Sequence, residues 1–520
     1  MKLTKTSVFH PFLFAIFPVL MIYANNIYII PFKDTIYPIL LVIIFSCLVF
    51  FINKLIFKSW KKSGIITSII MTMVFSYGHI YLQIGGFTIG DFIIGRHRYF
   101  MIPYIIGLAI SAYYIFKTKR KLDNATKILN AIAITLMLMI FVNIGFYAID
   151  NNVTIQQGLE KSIEQGLEKS IEQISTKNIV SSHFGEPSVK RDIYHIILDG
   201  YGGYQSLKNN LGFDNKEFLD ALENRGFYID SNSYSNYPET ILSIPSILNM
   251  KYFNYLTDEI GENSQEWHPM YEVWKNPEVM MNLESRGYTT IHFESPEYQQ
   301  NTEQILCKFT TVIPNNELMR LLSKISIFEH FTYAFSEQEK RERILCAFSE
   351  LSEIGDREEG PIFIHAHMMI PHPPYLFDSN GERIIYKPYH DDDELDSERY
   401  LGTLQYANKR IIEIVDNLQK QDTQPIIIIQ SDHGSDFNNF NWNNPTDDMI
   451  KQRMSNLNTY YFPDGGNEFL YEGMTPVNSF RMLFNVYFNS TYPILEDKNY
   501  WSNYAQPYNF TDVTKIVNEN

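Results

Sequence analysis

Between His10 and Ile149 the chain is a succession of long apolar runs, and that pattern restricts its fold more than any other feature. A helix needs about 20 apolar residues to cross the hydrocarbon core of a bilayer. Five runs qualify, at about 10–31, 36–57, 64–84, 99–117 and 128–149, and they predict a five-helix transmembrane anchor. The first run lacks a small-residue cleavage site and is followed by four more, so it reads as a retained helix and not a signal peptide. Basic residues set the orientation. Lys2 and Lys5 precede the first run. Lys54, Lys58, Lys61 and Lys62 lie between the second and third, and Lys117, Lys119, Arg120, Lys121 and Lys127 between the fourth and fifth. The alternate loops are poorer, with Lys33 in one and Arg96 and Arg98 in the other. The N-terminus is therefore expected in the cytoplasm of a multi-pass plasma-membrane protein. An odd number of spans then leaves everything after about residue 150 outside. Arg96-His97-Arg98 runs against this pattern and reads as an interfacial anchor, with a lipid-phosphate contact as the alternative.

The rest of the chain reads as a soluble globular protein. Residues 158–173, GLEKSIEQGLEKSIEQ, are a tandem octapeptide. An eight-residue period is not a heptad, so a coiled coil is not expected and the segment reads as an exposed helical stalk. The expected organisation is a transmembrane domain over 1–150, a linker over 151–190, a catalytic domain over 191–490 and a C-terminal tail over 491–520. A formal net charge of -16 argues against a nucleic-acid partner. Of the three cysteines, Cys47 lies in an apolar run. Cys307 and Cys346 read as two buried thiols, with a disulfide between them as the alternative.

In the outer half, apolar runs alternate with helical patterns. DIYHIIL (192–198), YTTIHF (288–293), PIFIHAH (361–367) and PIIIIQ (425–430) read as strands, and NKEFLDALENRG (215–226) and YANKRIIEIVDNLQKQ (406–421) as helices. The alternation predicts an α/β domain with a mostly parallel sheet covered by helices on both faces. Ligands of such sheets gather beyond the carboxyl ends of the strands. Three strand ends here carry polar residues: Asp199, then His367 and His372, then Asp432 and His433. Each has a plainer reading, as a turn after Asp199, an Asx turn at Asp432, or a loop shaped by Pro373 and Pro374. Together they point to one divalent metal site. Its mixed oxygen and nitrogen donors suit zinc or manganese better than calcium, with magnesium as a further candidate.

SNYPETILSIPSILNM (235–250) supplies a hydroxyl. Pro245 is compatible with the first turn of a helix, and Thr240 would then sit near its N-terminus, where N–H groups and the dipole favour an anion. Beside a metal, such a hydroxyl can attack phosphorus or sulfur; without one, Thr240 is an ordinary N-cap. Further on, DDDELDSE (391–398) reads as a solvated loop, and FNNFNWNNPTDD (437–448) as an Asn-rich loop or a polar substrate wall. Arg453 is a candidate phosphate contact.

The order of these motifs resembles the alkaline phosphatase and sulfatase superfamily. It is most similar to the membrane-anchored branch with lipoteichoic acid synthases and lipid A phosphoethanolamine transferases, which have five N-terminal spans and an extracytoplasmic catalytic domain. The resemblance implies that Asp199 takes the place of the first metal acid, a Glu in the lipid transferases and an Asp in sulfatases and phosphodiesterases. It implies Asp432 and His433 as paired metal ligands. Thr240 in TILSIP matches the nucleophile of Thr-x-x-Ser-x-Pro, and His372 the His near the substrate, which binds phosphoryl oxygens or protonates the leaving group. Departures are also visible. The sulfatase pattern Cys/Ser-x-Pro-Ser-Arg has Ile247 in place of its Arg, which leaves Ser243 as a secondary nucleophile or substrate contact. No His follows His433 by about a dozen residues, so a second metal site is not expected. The disulfides of the phosphoethanolamine transferases are absent.

The sequence therefore points to a membrane-anchored phosphotransferase. Asp199, Thr240, Asp432 and His433 would hold the metal, and Thr240 and His372 would do the chemistry. His367, Arg453 and Ser243 would contact substrate. The expected donor is a phospholipid carrying a phosphoglycerol or phosphoethanolamine head group, and the acceptor a cell-surface glycan or lipid. The alternatives are a hydrolase of extracellular sulfate or phosphate esters and a non-catalytic surface protein.

Overall fold

The computed structural model describes residues 7–27, 30–84, 88–89, 92–93, 97–147, 184–293, 302, 304–308, 317–357, 360–384, 393–437 and 440–519. The octapeptide stalk, Arg96 and the start of the acidic run at 391–392 lie outside the described residues. The chain divides into two compact units, Met1–Ile171 with Thr311–Ser336, and Glu172–Thr310 with Glu337–Asn520.

The first unit holds helices α1 His10–Asn25, α2 Ile36–Phe57, α3 Trp60–Ile84, α4 His97–Lys117 and α5 Asp123–Tyr147. Four spans, Phe32–Phe57, Trp60–Tyr81, Tyr99–Lys117 and Asp123–Tyr147, are long and apolar enough to cross a membrane. α1 is shorter, at 16 residues. It stops at Asn25 although the apolar run continues, because the Asn26 side chain donates to the Ile22 carbonyl at 2.8 Å and satisfies a helix-end acceptor. α1 is nevertheless packed into the group: Ala15, Val19, Ile22 and Tyr23 share a core with Val42 of α2 and Met71, Val74 and Phe75 of α3. Leu40, Ile44, Leu48, Leu55, Ile105 and Phe146 face outward, an apolar surface that suits hydrocarbon and not water.

A segment from far along the chain joins this unit. The helix Glu317–Ile325 buries Leu318, Met319, Leu322 and Ile325 in the core of α1 and α3. Gly78 of α3 allows it close: a Cβ there would lie 2.1 Å from the Lys324 carbonyl oxygen. Ile327 N–H then donates to the Val74 carbonyl at 2.9 Å.

The second unit is built on a seven-stranded sheet. Its strands are β1 Ile193–Leu198, β2 Tyr228–Ile229, β3 Thr289–Phe293, β4 Gln304–Leu306, β5 Ile362–Met368, β6 Ile426–Gln430 and β7 Asn458–Tyr461. Their spatial order is β2-β7-β6-β1-β5-β3-β4. The five strands from β6 to β4 are parallel, and β7 and β2 close one side antiparallel. The four isoleucines of β6 show why this sheet is covered twice. Ile427 and Ile429 face a core with Leu404, Ala407, Ile411, Ile414 and Val415 of α7 (Asp393–Leu418), while Ile426 and Ile428 face one with Ile244, Ile247 and Leu248 of α6 (Thr240–Leu248). Helix α8, Asp447–Met454, precedes β7. The segment expected as a tail holds an antiparallel hairpin, β8 Tyr500–Asn503 and β9 Gln506–Asp512, and a short helix, Thr514–Asn518; Trp501, Tyr508, Val513 and Val517 are buried.

Two features were not legible as such. Cys307 and Cys346 form a disulfide, with Cα atoms 5.8 Å apart, and are not two separate thiols. Their separation of 39 residues carries no pattern, and only the fold brings them together. Second, a row of histidines runs across the sheet in register: His292 pairs with His365, and His365 with His195. The His195 Nδ1 and His365 Nδ1 atoms are 3.0 Å apart, and His195 Nε2 lies 3.2 Å from Gln430 Oε1.

Two outcomes follow from these features. Exported protein unfolded without reductant should show one reactive thiol, Cys47, and three after reduction, counted with a thiol reagent; three before reduction would exclude the disulfide. Burial pushes His195 down to about 3 and His292 to about 4, and lowers His365 as well. Below about pH 6.5 the unfolded chain therefore binds more protons than the folded one, and stability falls as pH drops towards 4. Urea midpoints of the detergent-solubilised chain should be lower at pH 5 than at pH 7; equal midpoints would contradict a neutral row.

Candidate metal and nucleophile site

The register of the parallel strands places the site. Leu198 pairs with Met368 and Ile197 with Gln430, so β1, β5 and β6 end side by side. Asp199 continues the ladder by donating its N–H to the Met368 carbonyl at 3.0 Å. Gly200 then turns the chain at φ +70°, a conformation that glycine adopts without strain. The Asp-Gly turn expected from the sequence is thus real, and it carries the acid as well. Tyr400 of α7 locks it, donating to the Gly200 carbonyl at 3.0 Å and accepting from Gly202 N–H at 2.9 Å.

Donor atoms of Asp199, Asp432 and His433 all lie within 4.8 Å of one another, and all three side chains are buried. Asp432 Oδ1 accepts from the N–H groups of Gly200 and His433 at 3.1 and 3.0 Å. Asp199 Oδ2 is 3.1 Å from His367 Nε2, while Asp199 Oδ1 is buried with no hydrogen-bond partner. Leaving a carboxylate oxygen buried and unpaired is costly. A cation at that position removes the cost, so the donor set fits a divalent metal. His433 fits too. Its Nδ1 lies 2.9 Å from the Gly434 carbonyl, which can only accept, so Nδ1 carries the proton and Nε2 presents its lone pair. Burial, together with the Arg453 guanidinium, lowers the His433 pKa and keeps the imidazole neutral, the form that binds metals. Burial alone would raise the Asp199 carboxyl, but the imidazoles of His372, His367 and His433 hold it below the usual range.

Thr240 is the first residue of α6. Its Oγ1 donates to Asp432 Oδ2 at 2.6 Å and lies 3.1 Å from His433 Nε2. Pro245 falls inside the helix and not in its first turn as expected. In a nine-residue helix its missing N–H deprives only the Ile241 carbonyl, and the helix starts early enough to carry Thr240. Ser243 sits one turn further along with its hydroxyl donating to the Asp432 main-chain carbonyl at 2.7 Å. It holds the Asp-His turn from behind. His372 packs against that same corner: a Cβ on Gly200 would lie 3.8 Å from His372 Cδ2. His372 Nδ1 is 2.6 Å from the Pro373 carbonyl and therefore carries the proton.

Arg453, on α8, is buried and ties two loops together. Its Nε donates to the Pro238 carbonyl at 2.8 Å, Nη1 to the Gly434 carbonyl at 3.1 Å, and Nη2 to His433 Nε2 at 3.0 Å. Its guanidinium lies 4.8 Å from the Trp442 ring centroid. Three contributors had no clear sign in the sequence. Glu239, the residue capping α6, is pushed up to about 7 by burial and by Asp436, Asp432 and Asp199, against the Arg453 charge. Its place directly before Thr240 is the signal that was available. Gly434 must be glycine, because a Cβ there would meet the Gln452 and Ser455 carbonyl oxygens at 2.3 and 2.4 Å. The C-terminal hairpin clamps the approach to Thr240: Tyr500 N–H donates to the Asn236 carbonyl at 3.0 Å, and Asn499 Nδ2 to the Ser235 carbonyl at 2.8 Å.

The Sulfatase family model matches residues 196–483, more than half of the chain. No curated protein matches the chain significantly. Among solved structures, the C-terminal periplasmic domain of EcEptC from Escherichia coli in complex with Zn is similar at 12% identity and a TM-score of 0.41, covering 64% of this chain and 96% of that one. The integral membrane lipooligosaccharide phosphoethanolamine transferase A (EptA) of Neisseria meningitidis is similar at 11% identity and a TM-score of 0.36, over 93% of this chain and 98% of its own. The periplasmic domain of EptC from Campylobacter jejuni follows at 13% and 0.36, over 59% and 92%.

If the unpaired oxygen of Asp199 is a metal donor, zinc should raise the unfolding temperature of the metal-free chain. Asp199→Asn should lower zinc affinity about 100-fold while leaving the metal-free protein at least as stable, since a buried charge is removed. An unchanged zinc affinity in that variant would place the metal elsewhere.

Proposed function

The chain belongs to the sulfatase family of enzymes acting on sulfate and phosphate esters, and from that membership we propose that it transfers the head group of a membrane phospholipid, through a covalent phosphothreonine at Thr240, to a hydroxyl of a cell-surface glycan or lipid. The observation that carries this reading is the Thr240 hydroxyl: it opens a helix, donates to Asp432 and lies beside the His433 lone pair. Four spans apolar enough for a bilayer in the same chain favour a lipid donor. A disulfide in the second unit supports an extracytoplasmic catalytic domain, because disulfides persist in oxidising compartments, and the basic residues at Lys2, Lys5 and within 54–62 and 117–127 favour an N-terminus inside.

Asp199, Asp432, His433 and Thr240 would hold the divalent metal, which when bound lowers the pKa of the hydroxyl and screens developing charge. The chain's own groups do the rest. The Thr240 proton leaves along the hydrogen bond to Asp432 Oδ2 as Oγ1 attacks phosphorus. The new Oγ1–P bond forms while the P–O bond to the diacylglycerol oxygen breaks. His372, protonated at both ring nitrogens, passes the Nε2 proton to that leaving oxygen. It is left with its proton on Nδ1, held by the Pro373 carbonyl, and a free lone pair on Nε2. That lone pair takes the proton of the acceptor hydroxyl as its oxygen attacks the phosphothreonine; the new P–O bond forms while the Oγ1–P bond breaks, and Thr240 Oγ1 takes its proton back from Asp432 Oδ2. The dipole and free N–H groups at the start of α6 favour the anionic group in both steps.

The test is the intact mass of the full-length chain recovered from membranes, with Thr240→Ala and Ser243→Ala beside it. The expected result is a head-group adduct on the wild type and on Ser243→Ala, absent from Thr240→Ala, with the Ser243→Ala chain about 1 kcal/mol less stable for its lost hydrogen bond. The added mass identifies the head group. An adduct that survives Thr240→Ala and disappears with Ser243→Ala would reverse the nucleophile. No adduct, with turnover of a soluble ester in water, would make the protein a hydrolase.

A further inference from the structure

We infer that Arg453 is a charge placed to alternate between two partners: it occupies the His433 lone pair when no metal is bound, and clamps the anionic group on Thr240 when one is. The first half rests on geometry alone; the second rests on the Thr240 reading above.

The His433 tautomer decides the first half. With Nδ1–H committed to the Gly434 carbonyl, Nε2 has one lone pair to give. The Thr240 hydroxyl lies 3.1 Å away, but its proton goes to Asp432 Oδ2 at 2.6 Å. The lone pair is therefore taken by Arg453 Nη2 at 3.0 Å. It is the same lone pair that a metal must take, so arginine and metal compete for one atom. Two further interactions keep the guanidinium from leaving when it loses that contact. Nε and Nη1 stay on the Pro238 and Gly434 carbonyls, and the Trp442 ring lies at 4.8 Å. Nη2 and Thr240 Oγ1 lie 3.0 and 3.1 Å from the same nitrogen, so an Nη2 displaced from His433 keeps its N–H donors on the Thr240 side of the site.

The charge balance gives the displaced group its use. Asp199 and Asp432 together neutralise a divalent ion. Passing the Thr240 proton to Asp432 leaves that sum unchanged, so it is the oxygens of a transferring phosphoryl or sulfuryl group that bring negative charge in need of a further cation. Arg453 is the cation that directly contacts a proposed ligand among the described residues. A planar fork with fixed geometry suits those oxygens. The guanidinium donates to two protein carbonyls and a ring nitrogen, with the Glu239 carboxyl as its acidic neighbour.

The experiment measures zinc affinity by competition with a chromophoric chelator, on the full-length detergent-solubilised chain, for wild type, Arg453→Gln and Arg453→Lys. Each is also assayed for the rate of adduct formation at Thr240. Arg453→Gln should bind zinc about tenfold more tightly, because a competing donor and a unit positive charge beside a divalent ion are removed. It should form the adduct at least about 100-fold more slowly. Arg453→Lys keeps the charge without the fork and should fall between wild type and Arg453→Gln in zinc affinity. It serves as the comparison if the glutamine variant does not fold. A residue that only braces the loops would weaken zinc binding and adduct formation together. Zinc affinity at or below wild type in both variants overturns the competition. Tighter zinc with an undiminished adduct rate overturns the clamp. If the wild type itself forms no adduct, the Thr240 reading has failed, and the zinc comparison still decides whether arginine and metal share His433.

Discussion

The site depends on parallel strands ending in step. Asp199 lies 168 residues before His367 in the chain, and the Asp432-His433 turn follows later still, yet they meet because β1 pairs with β5 on one side and β6 on the other. Rigid strands hold these ligands more tightly than loops would. One slip in register would move every side chain of a strand to the opposite face and break the cluster. The isoleucines of β6 would fill either core after such a slip, so it is Gln430 that resists it, with its Nε2 placed on Asn458 Oδ1, Tyr460 Oη and Ser479 Oγ at 2.6, 3.0 and 2.8 Å.

Packing so many acids into a buried corner has an electrostatic cost, and the surrounding groups answer it in layers. Backbone N–H groups of Gly200 and His433 serve Asp432, His367 serves one oxygen of Asp199, and the Arg453 guanidinium lies among them. One carboxylate oxygen is left without a partner, and that is where the donor set is incomplete without a cation. The Trp442 ring, Tyr400 and the C-terminal hairpin touch none of the proposed metal donors, yet they hold the turns and the approach to Thr240 that present them.

Each unit of the chain is suited to a different solvent. The first buries small polar pairs, such as Asn53 Nδ2 donating to Thr67 Oγ1 at 3.1 Å, and turns leucine and isoleucine outward. The second buries its isoleucines between two layers of helix. The helix Glu317–Ile325 keeps the apolar logic of the first unit although it lies well inside the later sequence. Its amphipathic pattern can be read from the residues, but the core that receives it cannot.

The sequence by itself determined much of this protein. The apolar runs set the helices of the first unit, apart from the early stop of α1 at Asn25. Alternating strands and helices set the sheet and its two covered faces, and polar residues at three strand ends marked where ligands would collect. These are local signals, carried by hydropathy, periodicity and turn residues within a few positions of one another. The tertiary structure decided what depends on distance through space. It joined Cys307 to Cys346, lined up His292, His365 and His195 across the sheet, and turned the Ser243 hydroxyl to the Asp432 carbonyl while bringing the Thr240 hydroxyl to its side chain. It also set Arg453 on the nitrogen of His433. Serine and threonine three residues apart look alike in sequence. Which one meets the acid side chain depends on where the helix starts, and that is fixed by how α6 packs on the sheet.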